Sequence, residues 1–336
     1  MISDLSRYNA QVKKTPSIVV IGGGTGTSTV ISGLKSKQDQ LTALVYVADS
    51  GGSTGRLRDE FGFQPVGDLR QSLAALAKTH SQDWIRKLLL YRFTKGKGLQ
   101  GHNLGNLILT ALQDMAGSTT SALEIAEQVF QLHGEIFPVT TANVQLVVKY
   151  DDGTVVLGED HLNTHGTVAK KITLVRLFPR ARLYKKAVNA LKKADLIVIG
   201  PGDLYASLLA ALGVDGVKSV MKTVRGKIVY IVNLMSRFNQ THGMTAKQHL
   251  KCIEEAIGRM CDYVVVNSAT IPADILKKYA KEQEFPVVND LKHDKRVIAS
   301  DIIAQDVVER HTEDILDRSL LRHNPIKLAQ ALLELI

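Results

Sequence analysis

A run of glycines, Gly22-Gly23-Gly24-Thr25-Gly26-Thr27, follows the apolar, β-branched residues 18–21. Glycines at such a place let the backbone turn sharply and approach a ligand, and the N–H groups that open a following helix attract an anion. The spacing differs from the dinucleotide-binding fingerprint, because the third glycine would fall at position 27, which is Thr27. No Gly-Lys-Ser/Thr follows, so the run is not a P-loop. The segment predicts phosphate binding, with a plain tight turn as the alternative.

A second glycine-serine segment, Asp49-Ser50-Gly51-Gly52-Ser53-Thr54-Gly55-Arg56-Leu57-Arg58, follows the apolar run 41–47. In a Rossmann sheet an acid at the end of this strand lies beside the first glycine loop, where Asp49 would hold a ribose hydroxyl or a metal ion. Arg56 and Arg58 carry guanidinium forks that suit phosphate or carboxylate oxygens. A flexible loop is the alternative for this motif alone. Two such loops on adjacent strand ends favour a binding site, with Ser53 as a further contact.

Two shorter motifs lie in a region rich in predicted helices. In Gly67-Asp68-Leu69-Arg70, Asp68 is a candidate cap for the helix that follows. In Gly101-His102-Asn103-Leu104-Gly105-Asn106, polar side chains stand at a helix start. We expect His102 and Asn103 to contact a ligand, with a purely structural role as the alternative.

A third strand-turn-helix sequence begins with the apolar residues 196–199 and continues as Gly200-Pro201-Gly202-Asp203-Leu204-Tyr205-Ala206-Ser207. The carboxyl edge of the sheet would then carry three glycine-rich turns, and open α/β sheets bind ligands at that edge. Asn233, which follows the run 228–232, belongs to the same edge and either contacts the ligand or holds a loop. The candidate contacts from this part of the chain are Gly200, Gly202, Asp203, Ser207 and Asn233.

Apolar runs separated by segments of helix length predict an α/β fold with a Rossmann-like, doubly wound and mostly parallel sheet. From residue 68 to about 135 the pattern is helix after helix, which predicts a helical insertion. Between residues 143 and 176 the pattern turns to β, and Asp152-Gly153 indicates a β-hairpin addition. We expect a single domain over residues 17–336, preceded by a mobile arm over residues 1–16.

The composition of the 336 residues excludes several classes of protein. A net charge of +9 favours anionic partners such as nucleotides, whereas 5% aromatic residues and the lack of a long basic run disfavour nucleic acid. Two cysteines cannot form a zinc site, and the motifs of serine hydrolases and zinc peptidases are absent. No apolar stretch reaches the roughly 18 residues of a membrane span. We therefore expect a cytoplasmic protein without stable membrane insertion.

Taken in order, these motifs resemble those of the gluconeogenesis factors, bacterial proteins related to 2-phospho-L-lactate transferase, an enzyme of deazaflavin coenzyme biosynthesis. The resemblance runs from residue 18 to about 331 and includes the ending Arg322-His323-Asn324-Pro325-Ile326-Lys327-Leu328-Ala329. It implies a Rossmann-like core that binds a UDP-sugar or NAD, and a role in central carbon metabolism and cell-shape maintenance.

The chain departs from the family pattern at two places. In the transferase branch the acid that matches Asp49 contacts the deazaflavin substrate, and an acidic pair usually follows a Thr-Gly in this loop, where this chain has Ser-Gly-Gly-Ser. That departure favours the gluconeogenesis-factor branch. Family members often read Met-Thr-Gln-Pro-Gly-Glu-Thr where this chain has Met235-Ser236-Arg237-Phe238-Asn239-Gln240-Thr241, so the ligand preference around that loop is open.

Three functions stay open on these grounds. The first is a regulator that binds a nucleotide sugar, with the first glycine loop on the diphosphate, Asp49 on ribose or a metal, and residues 200–207 closing the site. The second is an enzyme that transfers a phospholactyl group from a nucleoside diphosphate donor to a deazaflavin, with Mg²⁺ held by Asp49. The third is NAD-dependent redox chemistry, which the missing third glycine disfavours. We expect the regulator, and we expect it to form a homo-oligomer.

Overall fold

The computed structural model describes residues 15–38, 40–48, 51–77, 83–159, 162, 170–304 and 320–336. Two sheets are present in these ranges, one of seven strands and one of three. Their strands, in chain order, are β1 (Ile18–Gly22), β2 (Leu41–Val45), β3 (Glu135–Pro138), β4 (Gln145–Tyr150), β5 (Val155–Leu157), β6 (Ile172–Phe178), β7 (Leu196–Ile199), β8 (Lys227–Ile231), β9 (Tyr263–Asn267) and β10 (Val297–Ser300).

The seven-stranded sheet has the order β10-β9-β8-β7-β1-β2-β3, and each neighbouring pair is parallel. Every residue of β1, β2 and β7 is buried, because helices cover both faces of the sheet. The chain leaves β1 toward β2 and β3 on one side and returns to β7 on the other. The strand order therefore reverses between β1 and β7, which is where such sheets bind ligands.

Helices connect the parallel strands and form the region between β2 and β3. They are α1 (Gly24–Leu34), α2 (Gly52–Phe61), α3 (Gly67–Leu76), α4 (Asp83–Leu90), α5 (Leu104–Ala116), α6 (Thr119–Phe130), α7 (Lys185–Lys193), a π-helix (Leu204–Leu209) that continues into α8 (Ala210–Leu212), α9 (Val217–Met221), α10 (Phe238–Thr241), α11 (Ala246–Ile257), α12 (Ala273–Lys281) and α13 (Pro325–Leu333). Across these ranges, no helix has the length and apolar character needed to cross a bilayer.

The small sheet is antiparallel, with β4 between β5 and β6. Its β4–β5 hairpin turns at the predicted Asp152-Gly153, where Gly153 takes a φ of +86°. A left-handed φ of this kind is the conformation that favours glycine in a tight turn. The small sheet packs on the same buried cluster as α7, α11 and one face of the main sheet.

The predicted α/β fold with a Rossmann-like, mostly parallel sheet is confirmed, and α3 to α6 follow one another in the region predicted as a helical insertion. Two strands at the edges of the main sheet, β3 and β10, were not located individually by their sequence pattern. Each has only four residues, and β3 ends in Pro138, so the periodicity is too short to distinguish a strand from a loop. Of the arm predicted for residues 1–16, residues 1–14 lie outside the described residues.

Candidate functional site

The loops that follow β1 and β7 lie against one another at the carboxyl edge of the sheet. A side chain on Gly26, in the first turn of α1, would overlap the carbonyl group of Pro201, since its Cβ would lie 2.8 Å from the Pro201 carbonyl carbon. In the first turn of α1 the N–H groups of Gly24, Thr25 and Gly26 have no intrahelical acceptor. These donors lie beside the turn after β7, at the point where the strand order of the sheet reverses.

The π-helix that follows β7 packs against the glycine loops after β1 and β7. Its Leu208 methyl groups would touch a Cβ placed on Gly22, Gly200 or Gly202, at 3.2–3.3 Å in each case. Leu208 is fully buried, and its N–H and that of Ser207 both donate to the Asp203 carbonyl oxygen at 3.0 Å. Helical turns of this widened type are rare and occur frequently at functional sites. Leu208 therefore packs against both the glycine loop after β1 and the glycine loop after β7.

The side chain of Asp68 lies against the first glycine loop. A Cβ on Gly23 would stand 3.1 Å from the Asp68 Cγ, and one on Gly24 would stand 3.6 Å from its Oδ1. The expectation that Asp68 caps its own helix is wrong: α3 begins at Gly67, its N-cap is Val66, and no side chain caps it. The carboxylate instead lies at the positive N-terminal end of α1, where a negative charge is stabilised. Sequence reasoning missed this contact because it joins two distant helices.

The second glycine-serine segment is described from Gly51 onward, and Asp49 and Ser50 lie outside the described residues. Ser53, at 4% exposure, joins this segment to the Gly101–Asn106 motif. Its Oγ lies 3.2 Å from His102 Nδ1 and accepts hydrogen bonds from Asn103 N and from Asn106 Nδ2. The two motifs are therefore one hydrogen-bonded unit.

Asn106 extends this unit to α3. Its side-chain amide donates to the Thr54 hydroxyl at 3.1 Å, and its Oδ1 accepts from Arg70 Nε at 2.8 Å. Asn103 acts as the N-cap of α5 by accepting from Asn106 N. Gly105 makes the arrangement possible, since a Cβ there would lie 2.8 Å from Arg70 Cδ. Buried polar groups of this kind fix one geometry when all are paired.

Three of the predicted contact residues stand at the surface of this unit. His102 is half-buried, and burial together with the charges of Arg56 and Arg92 lowers its pKa, so the ring is neutral at pH 7. Arg56 is exposed and lies beside Gly101. Arg58 already pairs with Asp59 through Nε at 3.0 Å and Nη2 at 2.8 Å. Arg56 is thus better placed than Arg58 to meet an anionic ligand.

A charge cluster connects the β7 loop to the segment after β8. Arg237 Nε lies 3.5 Å from Asp203 Oδ1, and its Nη1 lies 3.4 Å from Glu284 Oε1. Burial raises the pKa of Glu284, which is 8% exposed at its side chain. Gln240 reaches the π-helix and accepts from Ala206 N at 3.3 Å. Arg237 and Gln240 both lie in the segment 235–241, where this chain departs from the family pattern.

A cavity of about 260 Å³ opens at the carboxyl ends of β8 and β9. Asn233 lines it, and the Asn233 Oδ1 is buried without a hydrogen-bond partner among the described residues. Asn267 and Asn289 also line the cavity, but their side chains are bonded to nearby backbone N–H groups. A buried, unpaired carbonyl oxygen is costly unless a donor meets it, so Asn233 is the side chain here best suited to accept from a ligand.

The predicted contacts therefore divide by accessibility. Those that remain accessible at the sheet edge or on α2 and the loop before α5 are Gly24, Thr25, Gly26, Arg56, Arg58, His102, Gly202, Asp203 and Asn233. Those buried beneath them are Gly22, Gly23, Thr27, Ser53, Asn103, Gly200 and Ser207. Among the described residues, no three His, Cys, Asp or Glu side chains form a group able to hold a metal ion.

Comparisons with known proteins identify the family and support the fold. The family described as 2-phospho-L-lactate transferase CofD matches residues 18–308. The protein named gluconeogenesis factor in Bacillus subtilis is 35% identical over 324 residues, which cover 96% of this chain and 98% of the relative. The gluconeogenesis factor of Halalkalibacterium halodurans is 36% identical, with 96% and 97% covered. The crystal structure of a UPF0052 family member from Bacillus halodurans has a TM-score of 0.85 at 35% identity, covering 95% of this chain and 99% of that one.

Proposed function

Because the chain belongs to the 2-phospho-L-lactate transferase CofD family, we propose that it acts as a gluconeogenesis factor: a cytoplasmic regulator of central carbon metabolism and cell shape that binds a nucleotide sugar. Its relatives in Bacillus subtilis and Halalkalibacterium halodurans carry that name. The ligand proposed is a UDP-sugar, with NAD as the alternative dinucleotide.

The observation that carries the proposal is the contact of Gly26 with Pro201 at the strand-order reversal. The diphosphate lies at the start of α1, where Gly24, Thr25 and Gly26 supply N–H donors, and Gly202 closes the other side. Arg56 adds charge from the helical region. The ligand contributes little apolar surface at these loops, so affinity comes from N–H groups and arginine and weakens with salt.

One end of the ligand extends along the sheet edge into the cavity beside β9. Asn233 Oδ1 there accepts from an N–H of the base or a hydroxyl of the sugar, both of which are donors. The cavity volume of about 260 Å³ holds one such group. A UDP-sugar of this placement spans the edge from β1 to β9.

A magnesium ion fits this arrangement through Asp68. Mg²⁺ is held by one or two carboxylates together with ligand phosphates, and Asp68 lies against the loop that receives the diphosphate. When bound, the ion would offset the repulsion between that carboxylate and the phosphates. Asp68 would hold the ion from α3, and Asp49, which the sequence predicts as a metal ligand, lies outside the described residues.

A second candidate is the transferase reaction, in which a phospholactyl group moves from a nucleoside diphosphate donor to a deazaflavin. The description of the matching family favours it, as does a carboxylate beside the phosphate loop. In that case the exposed Arg56 would balance charge on the transferred group.

Calorimetry with UDP-glucose, in the presence and absence of Mg²⁺, tests the regulator. Gly24→Asp places a second carboxylate beside Asp68 and should abolish binding. Gly24 has a φ of +65°, so the matched control is Gly117→Asp, a glycine at φ +72° at the end of α5 with open space around it. Asn233→Leu should weaken binding without added backbone strain.

Equal affinity of the wild-type and Gly24→Asp proteins would rule out the glycine site. Incubation with Mg²⁺, the deazaflavin acceptor and the lactyl diphosphate donor separates the two functions, because product formation would establish the transferase. Following NADH absorbance under turnover conditions tests the redox alternative.

A further inference from the structure

Helix α4 carries apolar side chains on two sides, only one of which is covered. Leu89 is fully buried and Ile85 packs on the adjoining core cluster. Trp84 is 72% exposed and Leu88 46% exposed. Tyr91, just past the helix end, is 50% exposed. Trp84 and Leu88, four residues apart, share one side of the helix. Tyr91 N donates to the Leu88 carbonyl oxygen at 3.2 Å, so the three residues form an apolar stripe that faces solvent.

Basic residues accompany this stripe. The thirty residues from Trp84 to Gln113 contain no Asp or Glu, and five are basic: Arg86, Lys87, Arg92, Lys95 and Lys97. Lys87 Nζ lies 5.0 Å from the centre of the Trp84 ring. We call Trp84, Leu88 and Tyr91, with Lys87, Lys95 and Lys97, the α4 patch.

The two outer lysines are presented by a loop that starts directly at the stripe. Arg92 pairs with Asn103 in an isolated antiparallel bridge, and Leu104 N donates to the Tyr91 carbonyl oxygen at 2.8 Å. Every residue from 94 to 100 is exposed. Lys95 and Lys97 therefore stand on a solvent-facing loop whose base is Tyr91.

We propose that the α4 patch docks the protein on the surface of a membrane rich in anionic lipids. Tryptophan and tyrosine favour the level of the lipid headgroups, and an amphipathic helix with basic neighbours lies in that plane with its apolar residues inserted. The lysines meet the lipid phosphates, and such contacts weaken with salt. The helix lies on the membrane and does not cross it.

The choice of lipid over an acidic protein follows from the residue types. Protein interfaces are enriched in aromatic residues and arginine but depleted in lysine. The charges in the α4 patch are lysines, whereas the exposed Arg86 of the same helix donates to the Ala74 carbonyl oxygen at 3.4 Å. Headgroup phosphates accept any of the orientations a flexible lysine offers, so Lys87, Lys95 and Lys97 suit a lipid surface.

Trp84 reports the docking directly, because it is the single tryptophan of the chain. Its emission should shift to shorter wavelength with vesicles of phosphatidylcholine and phosphatidylglycerol, and stay unchanged with phosphatidylcholine alone. The protein should sediment with the anionic vesicles at about 0.05 M salt and be released at about 0.5 M salt, where screening is much stronger.

Two pairs of variants localise the effect while keeping the tryptophan. Lys95→Glu with Lys97→Glu should reduce sedimentation at least tenfold, whereas Lys277→Glu with Lys278→Glu, exposed lysines on α12, changes net charge equally and should retain it. Leu88→Ser with Tyr91→Ser should abolish the emission shift. Met115→Ser with Val129→Ser, at 81% and 61% exposure on α5 and α6, is the control and should leave it intact.

Three results would overturn the proposal. One is the absence of an emission shift with anionic vesicles. Another is equal loss of sedimentation in the two lysine pairs, which would mean that general charge and not the patch drives adsorption. The third is a shift with polyglutamate but none with vesicles, which would assign the patch to an acidic protein. None of these readouts depends on nucleotide binding.

Discussion

Gly26 and Pro201 touch at backbone distance, although they are 175 positions apart in the chain. Gly26 lies in the first turn of α1 and Pro201 in the turn after β7, so their contact joins the two strands between which the sheet order reverses. Because no side chain lies between Gly26 and Pro201, the N–H groups at the start of α1 lie directly beside the turn after β7. The diphosphate is proposed to lie beside this contact, at the N-terminal end of α1.

Gly26→Ala should push these loops apart and lower affinity for UDP-glucose at least tenfold. Overpacking of a tight contact costs about 1–3 kcal/mol, and the displaced loop holds the proposed donors. The matched control is Gly33→Ala, at the other end of the same helix, where a Cβ would lie 2.8 Å from the Pro325 carbonyl carbon. Calorimetry measures the affinity of each variant for UDP-glucose, and thermal unfolding measures its stability.

Both alanine variants should unfold at lower temperature, but only Gly26→Ala should bind ligand weakly. Equal affinities for the two folded variants would mean that the Gly26–Pro201 contact serves stability alone.

Ser53→Ala should destabilise the protein by about 1–3 kcal/mol, because Asn103 N and Asn106 Nδ2 would lose a buried acceptor. Urea unfolding measures this change. Thr223→Ala removes one exposed hydroxyl that donates to the Val220 carbonyl oxygen, and should cost no more than about 0.5 kcal/mol. A loss of stability in Ser53→Ala as small as that in Thr223→Ala would contradict the hydrogen-bonded unit of Ser53, Asn103 and Asn106.

Stability should fall as the pH drops from 6.5 toward 4, because His323 is buried in its neutral form. Burial lowers the pKa of His323 to about 4, although its hydrogen bond to the Val232 backbone opposes this. Between these pH values the unfolded chain binds a proton that the folded chain does not, so acid favours unfolding. At about 1.4 kcal/mol per pH unit the effect amounts to about 3 kcal/mol.

Urea unfolding across this pH range measures the effect in the wild type and in His323→Gln. The variant should lose the share of the slope below pH 6.5 that belongs to His323, up to about 1.4 kcal/mol per pH unit, while the share from His102 and His249, whose pKa values burial also lowers, remains. His293→Gln, at an exposed position, should keep the full slope. An unchanged slope in His323→Gln would assign the acid sensitivity to another group.

Arg237→Gln should weaken binding of UDP-glucose about threefold to tenfold, since it leaves the carboxylates of Asp203 and Glu284 without this cation beside an anionic ligand. Arg259→Gln breaks a comparable pair with Asp262 before β9, at the opposite edge of the sheet, and should leave affinity unchanged. Calorimetry at low salt compares the affinities of the two variants for UDP-glucose. A similar loss in both variants would show a general effect of charge.

The main features of the fold could be predicted from the sequence because they depend on local pattern. Continuous apolar runs mark the buried strands β1 and β7, and Asn324-Pro325 marks the start of α13, where Asn324 accepts from two backbone N–H groups. The glycine motifs were equally visible, since glycine is needed where a turn or a close contact excludes a side chain.

The contacts that complete the site could not be predicted in the same way. Asp68 reads locally as a helix cap, and only the packing of α3 on α1 brings its carboxylate to Gly23. The pairing of Arg237 with Asp203 depends on the neighbouring positions of β7 and β8. The π-helix has no signal in the periodicity of residues 204–212, which predicts an ordinary helix.

The most direct test of the central claim is a crystal structure of the protein with UDP-glucose and Mg²⁺. We predict electron density for two phosphorus atoms between the first turn of α1 and Gly202, within hydrogen-bonding reach of the Gly24 and Thr25 N–H groups. Density for the diphosphate at any other surface would contradict the account.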